Sequence, residues 1–251
     1  MLSYRTAICF SGQIRTGVET APALRKFIGD MWNSCDFFVH TWSTNTRSKH
    51  AANTDTQSHI VSPQIIDSIK TIYSPVSMVV DDIDAVQADV YIQTGITPSG
   101  QLPMFRSIYE ANLLKSKYEI ACNSKYLAVI RLRFDQVFDN SATLLQELQY
   151  FANSDRDAYL NTCDFSNKLP NAVEDVAWLG TSATIDIASN FLQVRERHST
   201  GIGYMDWQSH FKLYLEENNI KPHHWKNNNL YIYRDYHASA NISPFATELL
   251  V

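Results

Sequence analysis

The most chemically suggestive stretch near the N-terminus is the polar loop SGQIRTG, which directly follows an apolar, β-prone run. Gly12 allows the backbone to approach a ligand closely, and loop N–H groups ahead of a helix favour an anion. Arg15 could hold two phosphate oxygens at once. A plain turn with a surface arginine is the alternative, because the loop has neither a GxGxxG nor a GxxxxGK[ST] pattern. The sequence therefore predicts an anion-binding loop that includes Ser11, Gly12, Gln13 and Arg15.

A second group of charges lies in the strongly β-prone segment 126–135, YLAVIRLRFD. Arg131, Arg133 and Asp135 alternate along this segment, so a continuous strand places them on one face. A central parallel strand is normally apolar on both faces, and charges there are costly unless they are paired or used. An internal arginine–aspartate pair is one explanation. The interpretation we favour makes Asp135 an oxygen ligand of a divalent cation and turns Arg133 toward a substrate phosphate or carboxylate.

Polar or aromatic side chains also end the second and third predicted strands. His40 and Trp42 end one of them, and Asp81 and Asp82 end the other. Trp42 could stack on a sugar or nucleobase, although packing in the core is the commoner role, and Asp82 could bind ribose hydroxyls. The ligand crevice of an open α/β sheet lies beyond the carboxyl ends of its strands. We therefore expect these side chains to converge with Arg15 and the 131–135 segment on one site.

The apolar pattern indicates the elements that position these side chains. The first helix is predicted to begin after Thr20, which can cap it, with Pro22 in its first turn. Similarly, Ser62 and Pro63 begin the second helix, and HHW at 223–225 is predicted to be a polar loop. Strands are predicted at 6–10, 35–42, 76–82, 126–135, 157–161, 176–180 and 230–237, and helices at about 22–32, 62–73, 104–122, 143–151, 183–196 and 205–217.

The order of these elements predicts the fold class. Strands and helices alternate through the first half of the chain, which is typical of an α/β protein with a mainly parallel sheet flanked by helices. The second half has a more mixed pattern. A chain of 251 residues suits one large domain. We expect a single domain over 1–251, with functionally distinct halves of about 1–140 and 141–251.

Composition and charge argue against several protein classes. The net charge is −5 and the basic residues are scattered, so nucleic acid is not an expected partner. No window approaches the roughly 18 continuous apolar residues of a transmembrane segment, and no signal peptide is visible. Cysteines 9, 35, 122 and 163 form no CxxC pair, which is typical of reduced core residues. The sequence thus predicts a soluble, cytoplasmic protein.

Three motifs in chain order give the sequence a family resemblance. SGQIR after the first strand, DFFVHTW in the second and YLAVIRLRFD in the fourth resemble motifs of bacterial and viral glycosyltransferases with a GT-A-like fold, including enzymes of surface-polysaccharide synthesis. The resemblance covers roughly residues 6–138. It implies a GT-A-like sheet and transfer of a sugar from a nucleotide-diphosphate-sugar donor to a hydroxyl of a glycan or a lipid-linked acceptor. The donor would bind in the 1–140 half and the acceptor in the 141–251 half.

The resemblance also implies site residues. GT-A enzymes usually hold the donor with Mn²⁺ or Mg²⁺ on a DxD motif at the end of the fourth strand. Arg133-Phe134-Asp135 stands there in this chain, so an arginine replaces the first acid. Asp135 would hold the metal or the donor sugar, and the late His237 would complete the metal site. The implied donor-binding residues are Ser11, Gly12, Gln13, Arg15, His40, Trp42, Asp82, Arg131, Arg133 and Asp135.

A transferase also needs a carboxylate that takes the proton of the acceptor hydroxyl. Glu174-Asp175 is similar to the xED pattern of inverting GT-A enzymes, and Asp206 after Gly201 and Gly203 resembles the glycine loop and acid of that class. Each pattern also has a simpler explanation. Asp206 could be a first-turn helix acid, and 174–175 could be a solvated loop. Asp206 and Asp175 both remain candidates for the catalytic base.

Two other functions compete with sugar transfer. A non-catalytic nucleotide- or glycan-binding module on a degenerate transferase fold is favoured by the single acid of Arg-Phe-Asp. An enzyme that uses another phosphorylated donor, such as a sulfotransferase, ranks lower. Its phosphate loop would need lysine, serine or threonine, whereas SGQIRTG offers Arg15 and Thr16 but no lysine.

Overall fold

The computed structural model describes residues 5–46, 58–94, 102–138, 144–152, 159–162, 177–196, 207–224 and 230–232. The first half of the chain contains β1 Thr6–Ser11, α1 Ala21–Ile28, a 3₁₀-helix at Gly29–Ser34, β2 Cys35–Trp42, β3 Thr44–Thr46, β4 Ser58–Ile60, α2 Pro63–Tyr73, β5 Ser77–Asp81, α3 Ile83–Thr94, α4 Leu102–Cys122, β6 Ala128–Leu132 and β7 Gln136–Phe138. The second half contains α5 Leu144–Ala152, β8 Tyr159–Thr162, β9 Trp178–Gly180, α6 Ser182–Ser189, α7 Phe191–Glu196, α8 Trp207–Glu217, β10 Lys221–His224 and β11 Leu230–Ile232.

Seven of these strands form the central sheet, in the order β10-β8-β9-β6-β1-β2-β5. β1 is an interior strand and pairs in parallel with β2 on one side and β6 on the other. β5 extends the parallel region beyond β2, while β9 runs antiparallel to both β6 and β8. The predicted fold class is therefore confirmed, with a mainly parallel sheet and a more mixed second half.

Helices cover both faces of the sheet, and the alternation of β1 shows which residues face which layer. Ile8 and Phe10 join a core built with α1, α2 and α5. Ala7 and Cys9 join a second core built with α4, α6, α7 and α8. This two-sided burial explains why β1 is apolar almost to its end, as parallel strands covered on both faces usually are. None of the described helices is long and apolar enough to cross a lipid bilayer.

The residues that precede α1 and α2 differ in whether their side chains cap the helix. The Ser62 side chain accepts a hydrogen bond from the Ile65 N–H at 3.4 Å and so caps α2, as predicted. Thr20 precedes α1, but its side chain makes no capping bond. Its hydroxyl instead donates to the Phe134 carbonyl at 2.5 Å, so the predicted cap is wrong at this position. The hydroxyl ties the start of α1 to the 133–135 turn.

The predicted long strand 126–135 is interrupted. β6 ends at Leu132, the chain turns through 133–135, and β7 begins at Gln136. Phe134 enters the core and stacks on Phe10 with ring centroids 4.8 Å apart, which removes this residue from the strand direction. The expectation that Arg131, Arg133 and Asp135 share one face of a continuous strand is therefore wrong.

Several other elements depart from the sequence expectations. The β3–β4 hairpin, helix α3 and strand β10 were not predicted, and His223 lies in β10 rather than in a polar loop. The single helix expected at 183–196 divides into α6 and α7 at Asn190. Cys9 and Cys35 are free and buried as expected, whereas the free Cys122 is exposed at the end of α4. Cys163 lies outside the described residues.

Candidate functional site

The loop between β1 and α1 crosses the carboxyl edge of the sheet and is held in an unusual backbone conformation. Gly12 has φ +104°, and Arg15 has φ +46°, a left-handed value that is uncommon for a residue with a side chain. The Gly12 N–H donates to Ser107 Oγ at 2.6 Å, and the Arg15 N–H donates to Asn45 Oδ1 at 3.2 Å. Contacts from α4 and β3 therefore support the strained loop from outside. Such strain is characteristic of functional sites.

Hydrogen bonds to Gln13 and Asp135 help to orient the Arg15 side chain. Its Nε donates to Gln13 Oε1 at 3.1 Å, and its Nη1 donates to Asp135 Oδ2 at 2.7 Å. Arg15 and Asp135 are 120 positions apart in the chain. They meet because β1 and β6 are neighbouring parallel strands, whose carboxyl ends lie at the same edge of the sheet.

Arg133 contacts the same carboxylate from within its own turn. Its Nε donates to Asp135 Oδ1 at 2.9 Å and its Nη2 donates to Oδ2 at 2.8 Å, a bidentate arrangement. We call Arg15, Arg133 and Asp135 the arginine clasp. Burial alone would raise the pKa of Asp135, but the Arg133 and Arg15 guanidinium groups outweigh it and hold that pKa below its ordinary value. Asp135 is therefore an anion in the folded chain.

Three charged side chains meet in the clasp. Two guanidinium groups face the carboxylate of Asp135. The Asp135 side chain is 1% exposed, whereas the side chains of Arg15 and Arg133 are 25% and 16% exposed. The accessible side of the clasp therefore presents parts of the two arginine side chains, and the carboxylate lies behind them. Guanidinium N–H groups in such an arrangement can bind an anion with several oxygen atoms.

Close packing fixes the position of the clasp. A Cβ on Gly17 would lie 2.9 Å from Phe134 Cβ, so only glycine lets the loop approach the 133–135 turn this closely. The Tyr73 hydroxyl donates to the Gly17 carbonyl at 3.0 Å from the other side. Together with the Thr20–Phe134 bond, these contacts hold Arg15 and Asp135 at their observed distance.

A second network lies beside the loop, under the ends of β2 and β5. His40 Nδ1 is 2.8 Å from Ser107 Oγ, and His40 Nε2 is 3.1 Å from Asp81 Oδ2. Burial lowers the pKa of His40, while Asp81 opposes the change. The neutral ring with its proton on Nε2 satisfies the network, since Nε2 then donates to Asp81 and Nδ1 accepts from Ser107. Ser107 is completely buried, so this Ser-His-Asp grouping supports the loop and is not a hydrolytic triad.

Arg131 belongs to a different environment from Arg133. It is almost completely buried, its Nε donates to Ser11 Oγ at 2.7 Å, and its guanidinium lies 5.4 Å from the centre of the Trp178 ring. Trp178 is part of the core under α4, α6 and α8. Arg131 and Ser11 therefore stabilise the ends of β6 and β1 from behind the clasp.

The structure brings some of the predicted site residues together at one edge and separates others from it. Gln13, Arg15, Arg133 and Asp135 are joined by hydrogen bonds at this edge, whereas the side chain of Ser11 contacts Arg131 and the Gly12 N–H contacts Ser107. His40 and Trp42 are buried and pack edge to face, so any role for them is indirect in this conformation. Asp82 accepts the Asp84 N–H at 2.9 Å at the start of α3. Asp175, Asp206 and His237 lie outside the described residues, and the functional roles of all these residues stay predictions.

The described residues do not form a binding site suited to a divalent cation. No group of three or more histidine, cysteine, aspartate or glutamate residues within them could hold a metal ion. Asp135, the predicted ligand, already accepts hydrogen bonds on both oxygens from two positive side chains. A cation beside Asp135 would have to displace at least one guanidinium and overcome the repulsion of both. The metal site formed by Asp135 and His237 stays a prediction, because His237 lies outside the described residues.

Two residues that orient the loop were not identified from the sequence. Ser107 lies in the apolar pattern of α4, and Asn45 lies in the short strand β3. Neither stands in a motif, and both contact the loop only because distant elements fold onto it. No signal in the sequence distinguishes them from other serines and asparagines.

Comparisons with known proteins give no family assignment, because no protein-family model and no curated protein sequence matches the chain. Among solved structures, the chain is similar to the apo-form glycosyltransferase GlyE of Streptococcus pneumoniae TIGR4, with a TM-score of 0.42, 11% identity and coverage of 87% of this chain and 44% of GlyE. The chain thus spans less than half the length of GlyE.

A second similar structure is the galactosyltransferase LgtC in complex with donor and acceptor sugar analogues. The TM-score is 0.43, the identity is 9%, and the match covers 86% of this chain and 72% of LgtC. Similarities of this size do not show what this chain does.

Proposed function

We propose that the chain is a glycosyltransferase that takes a sugar from a nucleotide-diphosphate-sugar donor, and that the arginine clasp binds the donor diphosphate. The observation that carries this proposal is the 2.7 Å bond between Arg15 and Asp135. It joins two loops at the carboxyl ends of neighbouring parallel strands, where the ligand crevice of an open α/β sheet lies. The three sequence motifs of the glycosyltransferase resemblance end at this same edge.

The clasp suits the chemistry of sugar transfer. When the bond between the sugar and the diphosphate breaks, negative charge develops on the leaving phosphate oxygen. Partly exposed guanidinium groups of Arg15 and Arg133 would donate hydrogen bonds to that charge. Asp135 would act as a positioning residue that keeps both guanidinium groups aligned before the donor binds. The backbone of 11–13 would hold the nucleotide side of the donor.

The acceptor and the residue that takes its proton are proposed from the sequence. The acceptor would be a hydroxyl of a glycan or of a lipid-linked sugar in surface-polysaccharide synthesis, and Asp206 or Asp175 would take its proton. With arginines against the diphosphate, donor cleavage has a source of charge neutralisation that needs no divalent cation. Activity measured in EDTA and in Mn²⁺ or Mg²⁺ tests this feature directly.

The decisive experiment is a screen of labelled sugar nucleotides for transfer to glycan and lipid-linked acceptors and for donor hydrolysis. Asp135→Asn keeps the size of the side chain but removes the charge that aligns both arginines. We expect it to remain folded and to lose most of the transfer. Lys26→Gln removes an exposed charge on α1, away from the clasp, and is the matched control with full activity expected. Full activity of Asp135→Asn would remove the clasp from the mechanism.

A non-catalytic nucleotide-binding module is the second candidate. It is favoured by one observation, namely that the carboxylate of Asp135 is already held by two arginines. The same screen separates the two functions. Tight binding of a nucleoside diphosphate without hydrolysis or transfer of any donor supports the module, and turnover supports the enzyme.

A further inference from the structure

A groove distinct from the clasp lies on the outer surface of the helices that cover the second core. It has a volume of about 600 Å³ and lies between α4, α6 and α8. Its lining combines apolar surface with several polar side chains, among which are Tyr109, Asn112, Ser116, Asp186, Asn190 and Glu217.

Asp186 forms the polar centre of this groove. Its Oδ1 accepts hydrogen bonds from Lys115 Nζ at 2.8 Å, Asn112 Nδ2 at 2.8 Å and Ser116 Oγ at 3.0 Å. Burial would raise the pKa of Asp186, but Lys115 and the other donors outweigh it and hold that pKa below its ordinary value. The side chain remains 33% exposed. The groove thus presents an oriented carboxylate with room for further donors.

Asn112 gives a second, independent indication of a ligand. It lines the groove and is only 7% exposed. Its Nδ2 donates to Asp186, which fixes the orientation of the amide, and its Oδ1 has no hydrogen-bond partner among the described residues. A buried acceptor without a donor is costly and uncommon in folded proteins. Because Asn112 Oδ1 is shielded from solvent, a hydroxyl or amide group of a ligand would supply the missing donor after a small shift of the groove wall.

The charges around the groove indicate what kind of ligand fits. Lys115 and Lys125 face Glu119 and Asp186, at N–O distances of 2.8 to 3.5 Å, and we call these four residues the lysine cluster. Its two positive and two negative charges balance. The exposed Glu217 at the rim adds one further negative charge. Among the described residues, a phosphate or uronate would therefore meet no unpaired cation in the groove, whereas a neutral molecule would meet several hydrogen-bonding groups.

We propose that this groove is a binding site for a neutral oligosaccharide. Sugar hydroxyls would donate to the exposed part of Asp186 and, after that shift, to Asn112 Oδ1, and they would accept from the amide of Asn190. The apolar C–H face of a sugar ring would pack on the half-buried Tyr109 ring, since aromatic rings combine a large apolar surface with a polar end. Polar convergence inside a concave site is the general pattern of small-ligand recognition.

The groove and the clasp are linked by one helix. Ser107, which holds the Gly12 N–H, precedes Asn112 by five residues of α4, a rise of about 8 Å along the helix. If the proposed function holds, the groove would keep a distant part of a growing glycan attached to the protein during transfer. That purpose rests on the proposed function, but oligosaccharide binding itself does not require the clasp.

The test uses the full chain and defined probes in isothermal titration. The neutral probes are maltohexaose, cellohexaose, chitohexaose and a β-1,4-galactohexaose, and the charged probes are hexagalacturonate and spermine. Asn190→Trp puts a bulky ring at the exposed rim of the groove, and Asn33→Trp is the matched control on the 3₁₀-helix of the opposite face. Asn112→Leu is the second groove variant, used after its melting temperature shows that it is folded.

We expect at least one neutral probe to bind the unmodified chain and the Asn33→Trp variant equally. We also expect Asn190→Trp, or folded Asn112→Leu, to weaken that binding by about tenfold or more, as loss of a buried hydrogen bond to a ligand does. Arg15→Gln should leave it unchanged, which separates this site from the clasp. The proposal is wrong if no neutral probe binds, if only a charged probe binds, or if both groove variants bind as tightly as the control.

Discussion

The arginine clasp and the lysine cluster are both groups of paired charges around a buried side chain, but their composition differs. The clasp sets two cations against one anion, and its cations are partly exposed at the edge of the sheet. The lysine cluster sets two cations against two anions, and its central Lys115 is completely buried. The clasp therefore leaves parts of its two arginines accessible, whereas the lysine cluster surrounds a buried cation with two carboxylates.

This difference separates a candidate site for an anion from a cluster that positions the wall of the groove. Lys115 also donates to Ser182 Oγ at 2.6 Å, and Glu119 accepts the Tyr126 N–H at 2.8 Å, so the lysine cluster joins α4 to α6 and to the start of β6. Its internal balance suits a structural role beneath the groove. The clasp instead leaves parts of two arginine side chains accessible at the carboxyl edge of the sheet. In the proposed function, a bound diphosphate would accept hydrogen bonds from them.

The largest expected effect is on stability, from Lys115→Met. Removing one partner of a buried charge network leaves Glu119 and Asp186 without their central cation, which costs about 3–5 kcal/mol. Urea unfolding measures this loss. The thermal shift produced by a nucleoside diphosphate should stay the same, because the clasp is intact. Lys117→Met, an exposed neighbour on α4, is the control and should be neutral. A neutral Lys115→Met variant would contradict the structural role of the cluster.

Gly17→Ala should have a smaller effect on stability but a clear effect at the clasp. The new methyl group would lie 2.9 Å from Phe134 Cβ, and relieving this contact costs about 1–3 kcal/mol. It would also move the loop away from the 133–135 turn, so nucleoside diphosphate binding should weaken. Gly29→Ala is the matched control, because its φ of +59° strains alanine in open space far from the clasp. Unchanged nucleotide binding in Gly17→Ala would show that the loop position does not matter.

The smallest expected effect is a pH dependence from His40. Burial lowers its pKa below the ordinary value of 6.5, so below that pH the unfolded chain takes up a proton that the folded chain resists. The free energy of unfolding should therefore fall as the pH drops below about 6.5. His40→Gln should reduce this slope between pH 7.5 and pH 5, as measured by urea unfolding. An identical slope in the variant would mean that other groups cause the acid sensitivity.

The sequence was sufficient to predict those contacts of the site that follow from the order of the strands in the sheet. Parallel strands carry their carboxyl ends to one edge, so the residues after β1, β2 and β6 were expected to meet, and Arg15 and Asp135 do so at 2.7 Å. The pattern of apolar residues located most elements, since each one is buried on a regular face. The arginine–aspartate pair at the strand exit was foreseen as one of two explanations, and it is the geometry that the structure has.

The remaining parts of the fold and the site depend on contacts between residues that are far apart in the chain. The spacing of apolar residues does not reveal such contacts. The break at 133–135 arises because Phe134 packs into the core against Phe10, although its sequence context favours a continuing strand. Likewise, the sequence does not distinguish an aromatic residue that packs in the core from one that binds a ligand at a strand end. Trp42 is buried in the core. Ser107 and Asn45 act on the loop only through the tertiary fold.

The most direct test of the arginine clasp is isothermal titration of UDP and GDP into the unmodified chain, Arg15→Gln and Arg133→Gln, each in EDTA and in Mn²⁺. The account predicts that at least one of these diphosphates binds in EDTA. It also predicts that each arginine variant weakens this binding by about 10- to 100-fold, the loss of charge-assisted hydrogen bonds. Binding that requires Mn²⁺ and is unchanged in both arginine variants would contradict it.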